Sequence, residues 1–171
     1  MPTPRSLSIL ALAGLIISSS AACTPQIDLT KDIAIVDVTA GWYDAGIVKD
    51  AVGDKNKLVP AISFRLKNTT ADMTIGGVQI NAVYRLVNDK DKEWGTTWVY
   101  GITSGAPLKP GATTDPLVLR GDRAYLGLQP RLQMLQNRDF VDATVDLMAK
   151  HDAQQWTRLG TFPITRQLLT R

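Results

Sequence analysis

The chain of 171 residues has one cysteine and one histidine. A single cysteine cannot close an intramolecular disulfide, so no covalent staple is expected to support the fold. The lone histidine, His151, is flanked by Lys150, Asp152 and Ala153, without the partner spacing of a metal site or an acid–base pair; it reads as a residue of a solvated turn. Charge of one sign is also scarce. Lys and Arg number 19 against 16 Asp and Glu, a net +3 scattered along the chain rather than gathered into the basic stripe that nucleic acid requires. No apolar run reaches the roughly twenty residues of a membrane-spanning helix. There is no Gly-x-Ser-x-Gly elbow, and Gly76 and Gly77 stand alone before a strand, without the spacing or following helix of a phosphate-binding loop. No enzymatic activity, cofactor, metal, small-molecule ligand or nucleic-acid partner is therefore expected; the alternative of another class is a hydrolytic enzyme, which would require a cleft gathering His151 with Asp and Ser residues from distant segments.

Other short patterns have plainer readings. Asp142 and Asp146 fall on one face of an extended segment about 13 Å apart, too far for a shared-proton dyad, and are expected to keep a sheet exterior soluble. Asp89 and Asp91 alternate with Lys90 and Lys92 and lack the glycine and closing glutamate of a calcium loop. Arg120-Gly121-Asp122 and Asn68-Thr69-Thr70 spell an integrin tripeptide and a glycosylation sequon, but each is short enough to recur by chance and reads as turn sequence.

What is present begins at the N-terminus. Arg5 precedes an apolar stretch, residues 7–17, and small residues follow up to Ala22, the layout of a secretory signal. Ser20, Ala21, Ala22 and Cys23 resemble a bacterial lipobox, with Ser20 where leucine is usual. That resemblance implies cleavage between Ala22 and Cys23 and acylation of Cys23, so that lipid on Cys23 joins the protein to a membrane. An ordinary signal peptide cut near Ala22, leaving a free thiol, is the alternative. Each buried methylene of an acyl chain contributes about 0.8 kcal/mol, so several chains make a durable anchor. Thr24 stands where aspartate signals inner-membrane retention in enteric bacteria, which favours the periplasmic face of an outer membrane, if the source has one. The chain thus divides into a signal peptide (1–22), the lipidated cysteine and a tether (23–31), and a folded domain (32–171). The length suits one domain.

In that domain the dominant period is two. Ile62, Phe64 and Leu66 alternate with Ser63, Arg65 and Lys67; Val78, Ile80, Ala82, Tyr84 and Leu86 share one parity; so do Val141, Ala143, Val145, Leu147 and Ala149. Residues 33–39, 94–102, 116–120 and 156–168 complete seven candidate strands, the last interrupted by Gly160 and Pro163. Turn-forming residues separate them, and 78–87 with 94–102 form the clearest hairpin. Leu128, Leu132 and Leu135 recur at helical spacing beside Pro130, predicting one short helix over 130–137. The expected fold is all-β, an antiparallel immunoglobulin-like sandwich of about seven strands with that one helix.

Trp94, Trp98 and Tyr100 share a parity. They form either a core stripe or, on an open face, a platform for a partner or glycan; core is the expectation, because aromatic rings at period two fill sandwich interiors.

Residues 61–120 resemble the FxLYD and water-stress-type immunoglobulin-like domains of bacterial envelope proteins, through Ile62, Phe64, Leu66 and Asn68, the strand VQINAVYRLVND, and Leu108, Pro110 and Gly111 before the next strand. The resemblance implies a seven-stranded sandwich without enzymatic activity, an interaction or structural module with an envelope protein as partner. A second resemblance, through the lipobox, Tyr84-Arg85-Leu86 and a later Pro-Gly turn, is to outer-membrane lipoproteins of type VI secretion systems. It implies a subunit of a trans-envelope machine.

Overall fold

The structure is a computed structural model that describes residues 26–169. Ala22 and Cys23 lie outside the described residues. The fold is an all-β sandwich, built on one long hairpin and closed by a second sheet. Strands β1 (Ile33–Asp50) and β2 (Gly53–Asn68) run antiparallel from Ile33 opposite Asn68 to Asp50 opposite Gly53, joined by residues 51–52. Two irregularities interrupt their register, between Val36 and Thr39 and between Asp44 and Ile47. Asp37 (φ 54°) and Gly46 (φ 91°) sit in them with left-handed backbone, as bulges commonly require. Each bulge switches the parity that faces inward. Ile33 and Ile35 lie opposite Asn68 and Leu66, whereas beyond the first bulge Ala40 and Trp42 lie opposite Ile62 and Pro60. A reading by strict alternation therefore stops at residue 39, although the strand continues for eleven more residues.

The first sheet is extended by β5 (Leu117–Arg120) and β6 (Tyr125–Gly127), both antiparallel to β2, and by β9 (Leu168–Leu169), parallel to β1. The second sheet has the order β4-β3-β7-β8, from β3 (Val78–Leu86), β4 (Gly95–Ile102), β7 (Ala143–His151) and β8 (Thr157–Ile164). The described residues thus hold nine strands. The difference from seven comes from β6, and from the terminal candidate, which divides into β8 and β9 in different sheets.

Alternating side chains of both sheets meet in one core: Phe64, Ile62 and Leu66 from the first sheet, and Ile80, Tyr84, Val145 and Leu147 from the second, are all fully buried. The Tyr84 hydroxyl donates to the Leu119 carbonyl at 2.8 Å, a bond between the sheets, and burial pushes its phenol up, keeping it a neutral donor. At one end Trp42 lies among Phe140, Tyr125 and Trp94, with ring centroids 4.7, 5.4 and 6.1 Å away. Helix α2 (Arg131–Gln136) is where the sequence predicts a helix, with Pro130 just before its first residue. Its buried residues are Met134 and Leu135, while Leu128 and Leu132 are exposed, so the expected Leu128, Leu132 and Leu135 stripe is corrected. The ordered domain also starts earlier than residue 32. A one-turn helix α1 (Leu29–Asp32) is capped by the Asp28 carboxylate, buries Leu29, and replaces the end of the expected tether.

At the opposite end of β2, Asn68 is fully buried. Its Nδ2 donates to the carbonyls of Met73 (2.8 Å) and Leu108 (2.9 Å), and its Oδ1 accepts from the backbone N–H and the hydroxyl of Thr70. All four hydrogen-bonding positions of this amide are used, three loop residues being held by one side chain. The sequon reading of Asn68 therefore has no exposed amide to offer.

Candidate interaction surface

The second sheet turns one face into the core and the other to solvent. The inward side of β4 carries no aromatic ring: Gly95, Thr97, Val99 and Ile102 pair with the inward residues of β3, and a Cβ on Gly101 would meet Ile80 Cγ1 at 2.8 Å and Leu66 Cδ1 at 2.9 Å. Core volume here is already filled from the neighbouring strands. The aromatic residues of β4 lie on the other face, where Trp98 is 60% and Tyr100 53% exposed, their rings in an edge contact at 5.4 Å. The expectation of one aromatic core stripe is thus divided by the structure. Trp94 precedes β4, its backbone N–H donates to the Tyr84 carbonyl, and its ring packs on Trp42 and Tyr125. Parity alone placed it with Trp98; the turn that leads into β4 sends it inward.

Strand pairing extends this outer face across the sheet. Tyr100 lies opposite Gln79 and Gln79 opposite Lys150; Trp98 lies opposite Asn81, Asn81 opposite Met148 and Met148 opposite Arg158. Beyond Lys150 stands Trp156, 40% exposed, with the Lys150 ammonium 5.3 Å from its ring centroid. Aromatic rings therefore mark both margins of the face, with amides and cations between them. Asn81 accepts from the Thr96 hydroxyl through Oδ1. Its amide N–H groups point to no acceptor among the described side chains.

Charge on this face is unbalanced. Asp146 is its carboxylate, but it is buried, accepts from the Thr161 hydroxyl at 2.5 Å, and lies 3.3 Å from Arg85 Nε and 3.7 Å from Arg158. The sequence reading of Asp146 as a solvated surface charge is corrected. It is the centre of a small ion-pair network, and Asp142, outside β7, pairs instead with Arg166 at 2.6 Å. Asp146→Ala leaves Arg85 half-buried without its carboxylate, and is expected to lower stability by about 2 kcal/mol in urea denaturation. A change under about 0.5 kcal/mol would mean that the network contributes no more than an exposed pair.

His151 is the last residue of β7 rather than part of a turn, with Nε2 3.4 Å from an Asp152 oxygen and its side chain mostly covered. Among the described residues no group of three or more His, Cys, Asp or Glu side chains is placed to hold a metal ion, and no helix is long and apolar enough to cross a membrane. A depression of about 320 Å³ beside the β3–β4 loop is lined by Leu86, Asp89, Lys92, Glu93, Trp94 and Arg123, with charges of both signs around one edge of the Trp94 ring. Asp89 and the loop around it so belong to a mixed-charge rim.

No protein-family model matches this chain, and no curated protein does. A solved structure, the Northeast Structural Genomics Consortium target SoR45, is similar with a TM-score of 0.39 and 10% identity, over 81% of this chain and 89% of that one. At that score the likeness carries no argument.

Proposed function

We propose that this chain is a lipid-anchored protein of the bacterial cell envelope, facing the periplasm, that works by contact through the outer face of its four-stranded sheet and without chemistry of its own. One observation carries the contact reading. The edge strand of the four-stranded sheet exposes Trp98 and Tyr100 side by side, although sheet exteriors that serve only solubility carry short polar or charged side chains. The address rests on the lipobox resemblance at Cys23, where acylation also accounts for the single thiol. Thr24 after the cysteine supports an outer-membrane destination in a two-membrane cell.

Two measurements test the two halves separately. Cys23→Ser is expected to abolish incorporation of labelled fatty acid and to move the protein from the membrane fraction to the soluble one, with its thermal unfolding unchanged. Undiminished membrane retention would overturn the anchor. For the contact, in-cell crosslinking of the intact lipoprotein is expected to lose its products when Trp98 is changed to Ala, and products indifferent to that change would remove the sheet face as the interaction surface.

A further inference from the structure

Resting on that reading of the outer face, we infer that its occupant is a glycan strand carrying carboxylates. Three features of the face point the same way. Rings stand at its two margins, Trp98 and Tyr100 on β4 and Trp156 just before β8, and three interstrand steps of about 4.8 Å set these margins about 14 Å apart. Such rings offer flat apolar faces to the C–H side of a sugar while leaving its hydroxyls outward. Between the rings the sheet presents the carboxamides of Gln79 and Asn81 in adjacent rows, which supply donors and acceptors for hydroxyl groups. A protein partner would call for an apolar centre with a polar rim, whereas here Gln79, Asn81, Arg85 and Lys150 surround Met148 at the centre and the rings are at the margins.

Charge complementarity selects an acidic glycan over a neutral one. Among the outward residues of the four strands, Arg85, Lys150 and Arg158 stand against one carboxylate, Asp146, which is buried beneath the two arginines. Among the described residues no carboxylate is in ion-pair distance of the Lys150 ammonium, which lies 5.3 Å from the Trp156 ring centroid. A carboxylate arriving over the Gln79 row meets that ammonium, and Arg158 lies in the row alongside. The spacing of cation and ring suits a repeating acidic sugar, in which one residue stacks while a neighbour pairs.

The test uses the full chain in detergent micelles, followed by tryptophan fluorescence. The carboxylated probes are hyaluronate, polygalacturonate and isolated peptidoglycan; dextran is the neutral glycan and polyglutamate the polyanion without sugar rings. At least one carboxylated glycan is expected to bind, and to bind more tightly than dextran or polyglutamate. Trp98→Ala and Tyr100→Ala are each expected to weaken binding about tenfold, with Trp98→Tyr retaining most of it. Lys150→Gln is expected to weaken it about threefold and to level the preference over dextran, while Val118→Ala, on the other sheet, leaves it unchanged. Absence of binding to all three carboxylated glycans overturns the inference, as does equal binding to polyglutamate or indifference to the β4 rings. If glycans fail while Trp98-dependent protein crosslinks persist, the glycan inference falls and the contact reading stands. If neither depends on Trp98, both fall.

Discussion

Trp42→Ala is expected to lower the unfolding free energy by about 4 kcal/mol, the upper part of the range for truncating a large buried aromatic. Trp42 is fully buried, and Trp94, Tyr125 and Phe140, all in ring contact with it, come from three separate segments: the β3–β4 loop, β6 and the loop after α2. Removing the indole opens a cavity among three rings whose own contacts with one another, Trp94 on Tyr125 and Tyr125 on Phe140, resist collapse into it. For a domain of this size the loss corresponds to a fall in Tm of about 10 °C or more. The indole N–H has no hydrogen-bond acceptor among the described residues, so Trp42→Phe forfeits volume but no polar contact seen there. Its expected cost is about 1–2 kcal/mol. The near-UV circular dichroism of the cluster should vanish in the alanine variant while the far-UV spectrum persists. A cost under about 1.5 kcal/mol for Trp42→Ala would show that the cluster is loosely packed.

The second large effect is at Asn68, where loss of a small polar side chain matters more than volume. In Asn68→Ala the carbonyls of Met73 and Leu108 lose the donor they share, and the Thr70 N–H loses its acceptor. The Met73 carbonyl keeps the Thr70 hydroxyl and the Leu108 carbonyl keeps the Ile75 N–H, so the Thr70 N–H is the group left unpaired. That group at about 1–3 kcal/mol and the lost amide bonds at about 1 kcal/mol each make a destabilisation of about 3 kcal/mol expected, with local opening of the loops seen by amide hydrogen exchange. Asn68→Asp supplies a sharper measurement. It sets a carboxyl oxygen against two carbonyl oxygens in a site without solvent, which favours the neutral acid in the folded state and raises its pKa above the ordinary value of about 3.9. Between those two values the folded state holds more protons than the unfolded one, so stability falls as pH rises. The urea midpoint of Asn68→Asp should therefore be highest near pH 4 and decline towards pH 7, opposite to the usual behaviour of a paired carboxylate. A midpoint that rises over that interval would contradict the hydrogen-bond assignment of the amide.

How much of this was legible beforehand depended on whether a segment keeps one period. In β3 and β7 the inward residues keep one parity from end to end, and the fold class, the hairpin from β3 to β4 and the placement of α2 are all open to sequence reading. In β1 the two bulges exchange inward and outward positions, so Ile33, Trp42 and Ile47 face the same way on different parities, and the longest strand looks like a short one. The face of β4 was ambiguous for a different reason. Tryptophan, valine and tyrosine are apolar on either parity, and the choice between Val99 inward and Trp98 outward depends on how much space Leu66, Leu117 and Ile80 leave opposite Gly101. Asp146 is expected in solvent from the sequence because alternation identifies an outward position but not whether arginines from neighbouring strands will cover it.

By itself the sequence determined an all-β domain with its core on alternating positions, because side-chain period is a local property of an extended chain. It also supplied the Cys23 motif, as an expectation about address that lies outside the described residues. Only the tertiary structure decided which aromatic rings are core and which are surface: Trp94 is drawn in to complete the Trp42 cluster, while Trp98 and Tyr100 are turned out because the space between the sheets at β4 was already occupied. Available volume is a property of both sheets together, and no single strand encodes it.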